Sequence, residues 1–261
     1  MHPMRSFVHA AALVALLASA VTARAGALQV SPVRVQFQAD QRAQSLQVST
    51  GGTDVLEAQV RILQWSQEDG QDRLQPADDI VVSPAILRVA PGQPQTVRLV
   101  RVSPTSPARE LSYRVLVDEL PSKATPTTAT GLKVLKRYSI PVFVAPPGPS
   151  ATPAKKAAAA APPLTDLSHL RARLVPGTNG GTELQVRNEG DRHVRVSYLS
   201  ASKPDGTRQS LGNGLIGYVL PGRQVSWPVD LPQPATASLT LKARFNDDRE
   251  AQVLSLDGAG R

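Results

Sequence analysis

Short alternations of apolar and polar residues recur along the chain from Leu28 onwards. The first, "LQVSPVRVQF", places Val33, Val35 and Phe37 on one face of a strand. Further runs follow, separated by turn signals such as Pro91-Gly92. Before residue 145 the pattern predicts roughly seven strands in about 120 residues, the count typical of an immunoglobulin-like β-sandwich. No segment in this part has the 3.6-residue periodicity of a helix.

The strand pattern stops after Val144 and resumes some twenty residues later. Pro, Ala, Gly and Ser dominate the interval, around Lys155-Lys156, which is typical of a linker. Short strands then return, from "LRARLVP" to "SLTLKARFND", with turn signals such as Asp205-Gly206 between them. We therefore predict an all-β chain of two immunoglobulin-like β-sandwich domains. The predicted boundaries are 26–147 for the N-terminal domain, 148–163 for the Pro/Ala-rich linker and 164–261 for a smaller C-terminal domain.

The N-terminus predicts export. Arg5 precedes an apolar run from Val8 to Val21, and Ala23-Arg24-Ala25 forms an A-x-A cleavage site. Residues 1–25 are therefore predicted to be a secretory signal peptide that is cleaved before Gly26. No later apolar run is long enough to cross a bilayer, which needs about 20 residues. The chain has no cysteine, so its cores must be stable without disulfides.

Composition and motifs argue against nucleic-acid binding and against catalysis. The net charge is +8, but the basic residues are scattered, which favours a solvated basic surface over a nucleic-acid site. The two histidines beyond the signal peptide, His169 and His193, lack metal-ligand spacing, and no P-loop or nucleophile elbow is present. We predict no enzyme activity, no cofactor and no metal. Trp65 and Trp227 are predicted to anchor the aliphatic cores.

An ordered series of motifs resembles one known family. The pieces are "VSPVRVQF", then "LEAQVRILQWSQEDGQDRLQPADDIVVSPAILRVAPGQPQTVRLVR", then "ELSYRVLVDELP" and "YSIPVFVAP". In this order they resemble the periplasmic pilus-assembly chaperones of chaperone–usher pathways, which have a PapD-like fold. "GYVLPGRQVSWPV" in the second domain is similar to the archaic, σ-fimbrial branch. The resemblance covers nearly all of residues 28–258.

The resemblance implies a chaperone that lends a strand to its substrate. Such a chaperone binds and folds fimbrial (pilin) subunits by donor-strand complementation and delivers them to an outer-membrane usher. The donor positions fall on Leu132, Val134 and Lys136, or include Leu135 if the register is shifted. The alternative is that Leu132 and Val134 face the core of their own domain.

The resemblance also implies a clamp for the C-terminal carboxylate of the subunit. Arg34 matches its first basic residue, because a guanidinium binds a carboxylate bidentately and keeps its charge. A surface arginine without this role is the alternative. The second position, a lysine in much of the family, falls on Pro141, so Arg98 or Arg101 would have to replace it. Glu119 matches an acid that pairs across the two domains, and its usual arginine partner falls on Ala145.

The partners expected from this hypothesis are pilin subunits and an outer-membrane usher, in the periplasm, with no nucleic acid and no membrane-embedded segment. Self-association of the free protein is a further hypothesis. The main alternative function is a secreted structural fimbrial subunit or adhesin built from two sandwiches. A subunit would carry a donor extension before its first strand, and strand-like sequence here begins at Leu28, two residues after Gly26. A sandwich-fold enzyme or carbohydrate binder would need clustered acids or exposed aromatic residues, and neither pattern is evident.

Overall fold

The computed structural model describes residues 28–102, 106–121, 134–148, 164–177, 180–231 and 239–257. Strands, turns and loops make up these residues, which confirms the all-β prediction. Within the described ranges, no helix is long and apolar enough to span a membrane. The predicted signal peptide, Leu132 and most of the predicted linker lie outside the described residues.

The first half of the chain forms two facing sheets. Its strands are β1 (Leu28–Ser31), β2 (Val35–Phe37), β3 (Ala43–Thr50), β4 (Leu56–Glu68), β5 (Gln71–Pro76), β6 (Ile80–Ser83), β7 (Ile86–Val89), β8 (Gln95–Arg101), β9 (Leu111–Glu119) and β10 (Arg137–Val144). One sheet has the order β1-β3-β8-β6, and the other has the order β2-β10-β9-β4-β5 with β7 also paired to β4. The buried faces of both sheets form one aliphatic core, which agrees with the predicted period-2 alternation.

The first predicted strand is two strands that belong to different sheets. β1 pairs antiparallel with β3, whereas β2 pairs parallel with the end of β10. The chain crosses between the sheets at residues 32–34. The prediction that Val33 shares the buried face of Val35 and Phe37 is therefore wrong for Val33, which is exposed at the crossing, and right for the other two.

The second half also forms two sheets around its own core. Its strands are β11 (Leu170–Pro176), β12 (Thr182–Asn188), β13 (Val194–Ser202), β14 (Arg208–Ser210), β15 (Leu215–Val219), β16 (Gln224–Val229), β17 (Thr240–Phe245) and β18 (Gln252–Leu254). The sheet orders are β11-β12-β16 and β14-β13-β17-β18, with β15 paired to β13. The three-residue strands β14 and β18 were not predicted, because three residues are too short for a periodicity signal.

The two tryptophans have different roles. Trp227 packs against the core of the second half, as predicted. Trp65 is buried, but its neighbours are Phe143 of the first half and Tyr218 and Leu220 of the second half. Trp65 therefore anchors the contact between the halves rather than the core of one sandwich.

A buried tyrosine makes the first sandwich sensitive to alkaline pH. Tyr113 is fully buried, and its hydroxyl donates a hydrogen bond to the Asp79 carboxylate. Burial, and then this hydrogen bond, raise the pKa of Tyr113 above its usual value. The folded protein thus keeps this proton at pH values where the unfolded chain loses it. We expect the free energy of unfolding to fall as the pH rises above about 10.

The test is denaturant unfolding of wild type and Tyr113→Phe across that pH range. The variant should be less stable at neutral pH by about 1–3 kcal/mol, since Asp79 loses its donor. Its stability should fall less steeply than that of wild type above pH ~10. Parallel pH curves for the two proteins would contradict the assignment.

Candidate functional site

Strand β10 has one fully paired side and one side that is mostly open. It pairs antiparallel with β9 along its whole length, from Arg137 to Val144. On the other side β2 pairs only with Val142–Val144. Among the described residues, no strand pairs with Arg137–Pro141 on that side. This part of β10 presents main-chain groups to an added strand.

The residues just before β10 continue its alternation. The Lys136 carbonyl accepts a hydrogen bond from the Glu119 amide at 2.9 Å, so pairing with β9 extends one residue further. Period-2 alternation then assigns Val134 and Lys136 to one face, and Leu135 to the other. Val134 is 66% exposed and Leu135 is 43% exposed. Neither apolar side chain is buried in this chain's own core.

Arg34 lies at the crossing between β1 and β2 and binds a carboxylate of the second half. Its Nη1 donates to Asp247 Oδ1 at 3.2 Å, and its Nη2 donates to Oδ2 at 2.6 Å. The hydrogen bond to Asp247 raises the pKa of Arg34, and the same bond lowers the pKa of Asp247. The pair borders an open cleft of about 790 Å³. The cleft is lined by Arg34, Gln36, Gln38, Asp40, Gln41, Gln44 and Asp247.

The other two arginines predicted for this site lie elsewhere. Arg98 is exposed on the outer face of β8, in the sheet that contains neither β2 nor β10. Arg101 is buried, and its guanidinium donates to the carbonyls of Ala39 and Gln41. It therefore holds the loop after β2.

Arg114 is a basic residue of the site that the sequence analysis missed. It pairs with Pro141 in the register of β9 and β10. On the opposite side of β10, Val35 pairs with Val142, so Arg34 comes next to Pro141. The two arginines thus flank Pro141, where the resemblance placed the second basic residue of the clamp. The only sequence signal was a charged residue within the apolar run of β9.

The Arg114 guanidinium is half-buried and only partly paired. Its central carbon lies 3.7 Å from the centroid of the Trp65 ring. Its nearest acid is Asp72, with 3.9 Å between Nη2 and Oδ2. Its side chain is 16% exposed, and burial lowers the pKa of Arg114. Tyr218 lies close to Arg114, with 5.6 Å between the guanidinium carbon and the ring centroid, so this cation faces the contact between the halves.

Aromatic rings and one amide join the two halves behind these arginines. Trp65 packs edge-on against Tyr218, and the ring of His193 stacks on Phe143 with centroids 3.6 Å apart. The buried Gln67 side chain donates to the Tyr218 carbonyl and accepts from the Leu220 amide, both at 2.9 Å.

Besides Asp247, the acid that pairs across the halves among the described residues is Glu110, not Glu119. Glu110 Oε1 accepts hydrogen bonds from the His193 amide at 2.9 Å and from His193 Nδ1 at 2.6 Å. Glu119 lies at the opposite end of β9, where it accepts from the Lys136 amide at 3.3 Å. Glu119 therefore does not make the cross-domain pair expected of it, since the nine-residue strand β9 separates it from Glu110.

Comparison with known proteins identifies the class. Residues 27–150 match the family described as pili and flagellar-assembly chaperone, PapD N-terminal domain. The first domain is therefore similar to the N-terminal domain of these pilus-assembly chaperones. The predicted resemblance is confirmed. No curated protein sequence matches the chain.

Solved structures extend the likeness to both domains. A structure of the CsuC–CsuE chaperone–tip adhesion subunit complex, from the archaic Csu pili of Acinetobacter baumannii, is 24% identical with a TM-score of 0.64, and covers 87% of this chain and 97% of that chain. The Pseudomonas aeruginosa CupB2 chaperone is 20% identical with a TM-score of 0.57, covering 88% and 100%. The Salmonella enterica SafA pilin–SafB chaperone complex is 16% identical with a TM-score of 0.54, covering 84% and 89%. The two-sandwich fold is shared with these pilus chaperones. Together with the family match of residues 27–150, it favours the chaperone prediction over a structural subunit.

The Glu110–His193 contact should couple the two domains. Glu110→Ala leaves the half-buried amide and ring nitrogen of His193 without their acceptor, which typically costs about 1–3 kcal/mol. We expect calorimetry to show a lower Tm and separate unfolding transitions for the two domains. Glu110→Gln retains one acceptor and should be milder. The matched control is Glu119→Gln, and a larger loss of coupling in this control than in Glu110→Ala would contradict the assignment.

Proposed function

We propose that this protein is a periplasmic chaperone that binds a fimbrial subunit along the open side of β10 and delivers it to an outer-membrane usher. The observation that carries the proposal is the half-paired β10, preceded by the exposed Val134. The family of the first domain supports it. Residues 1–25, as a cleaved signal peptide, would take the chain to the periplasm.

The donor segment would complete a subunit that lacks one strand. The open main-chain groups of Arg137–Pro141 supply hydrogen bonds, and alternate side chains before them fill the subunit's groove. Leu132, Val134 and Lys136 are the proposed donor residues. Lys136 can place its aliphatic stem along the rim of the groove and its ammonium in water. Leu135 belongs to the opposite face, so it would take part only after a register shift.

The cleft would hold the C-terminal carboxylate of the subunit. Arg34 already binds a carboxylate with two hydrogen bonds, which supports its role in the clamp. Arg114, across from Pro141, is our candidate for the second cation. The other candidates, Arg98 and Arg101, both lie on β8 in the other sheet, and the Arg101 guanidinium binds the loop after β2.

Strand donation requires no cofactor or nucleotide, because the subunit gains main-chain pairing and buries apolar surface as it binds. The open side of β10 also suits pairing between two copies, which supports self-association of the free protein. Subunit and second copy would then compete for the same edge.

The donor register can be tested by substituting two neighbouring apolar residues, Val134 and Leu135. The chaperone is co-expressed with candidate pilin subunits in a bacterial periplasm and purified through a C-terminal tag. Val134→Glu should abolish recovery of the 1:1 complex, because a carboxylate cannot enter an apolar groove without a large desolvation cost. Leu135→Glu, on the opposite face, is the matched control and should retain the complex. Loss with Leu135→Glu alone would show that the register is shifted by one residue.

The clamp can be tested in the same assay. Arg34→Ala and Arg114→Gln should each weaken subunit capture by roughly 10- to 100-fold, as expected for the loss of a charge-assisted hydrogen bond of about 1.5–3 kcal/mol. Arg34→Lys should restore part of the loss, since it keeps the charge but not the bidentate geometry. Arg98→Gln removes the same charge from the other sheet and should bind normally. Unchanged capture by Arg34→Ala would exclude the clamp.

A further inference from the structure

The Asp247 carboxylate lies between two guanidinium groups. Besides its two bonds to Arg34, its Oδ1 lies 3.2 Å from Nη2 of Arg195. Arg195 belongs to β13 of the same domain as Asp247, and its Nη2 also donates to the carbonyl of Asn246. Arg195 is thus fixed beside Asp247 within one domain, whereas Arg34 reaches it from the other domain.

The exposure of the Arg34–Asp247 pair allows another carboxylate to replace Asp247. The Asp247 side chain is 68% exposed and that of Arg34 is 32% exposed. Ion pairs at such positions add little net stability, because water solvates both groups when they separate. A second carboxylate that approaches Arg34 could therefore replace Asp247 with the same two hydrogen bonds.

The local charges favour such an exchange. Arg34, Asp247 and Arg195 together carry two positive charges and one negative charge. An incoming carboxylate on Arg34 leaves Asp247 with Arg195, and each guanidinium then has one carboxylate partner. Asp40 lines the same cleft but is exposed to water.

We infer that Asp247 is an internal competitor for the carboxylate site, an inference that rests on the proposed function of Arg34. In the free chaperone Asp247 occupies Arg34. The C-terminal carboxylate of a bound subunit displaces it, and Arg195 retains the displaced side chain. The apparent affinity for a carboxylate equals the intrinsic affinity multiplied by the fraction of molecules in which Arg34 is free. The site therefore binds a carboxylate strongly only when strand pairing holds that carboxylate next to Arg34.

The experiment measures capture of the subunit that co-purifies with this chaperone, prepared with a free C-terminal carboxylate and, semisynthetically, with a C-terminal amide. Asp247→Asn should bind the carboxylate form roughly threefold to tenfold more tightly than wild type does, since the competitor is removed. Binding of the amide form should not change. Glu250→Gln makes the same carboxylate-to-amide change at an exposed position three residues away, and should affect neither form.

A second variant keeps the test valid if Asp247→Asn unfolds, which thermal melts would reveal. Arg195→Gln removes the group that retains displaced Asp247, so it should weaken binding of the carboxylate form and not that of the amide form. If Asp247→Asn folds and binds the carboxylate form no more tightly than wild type, Asp247 only joins the two domains and the inference is wrong. If Arg34→Ala still abolishes the preference for carboxylate over amide, the proposed clamp survives that failure. No preference in wild type would overturn both.

Discussion

The half-paired state of β10 is the constraint on which the rest of the molecule depends. The end of the strand is held between β9 and β2, with Val142 and Val144 buried in the core, so its register is fixed. Its beginning is held by β9 alone. A strand anchored in this way can offer main-chain groups without losing its own place in the sheet. The charged residues Lys136 and Arg137 at the open end reduce the risk of unwanted pairing that such an edge carries.

The crossing between β1 and β2 produces this arrangement. Because Leu28–Ser31 belong to the opposite sheet, only Val35–Phe37 remain to pair with β10. The same crossing places Arg34 next to Pro141, at the point where the open edge ends and the cleft between the domains begins. The open edge of β10 and the Arg34–Asp247 pair are thus consequences of one change of sheet. In the proposed complex, a bound strand would run from one to the other.

The sequence predicted what depends on local alternation and missed what depends on contacts between distant parts. Apolar alternation located most strands, since each sheet has one face buried in the core. It could not show that "LQVSPVRVQF" serves two sheets, because both halves of the segment alternate in the same way. Arg114 and Glu110 were missed because their roles come from pairing with β10 and with the second domain. Arg34 was found through the family resemblance, and its partner Asp247, more than 200 positions later, had no local signal.

The amide of Gln67 has a consequence for the evolution of the chain. Its two hydrogen bonds imitate one step of a β-ladder between a side chain of the first domain and the backbone at Tyr218 and Leu220 of the second. The contact surface thereby fixes the orientation of the domains. The interval between Gly148 and Leu164 therefore has only to be long enough to connect the two domains. Insertions and deletions there should accumulate with little selection against them. In principle, the two domains could even be supplied as separate polypeptides that reassemble around the same cleft.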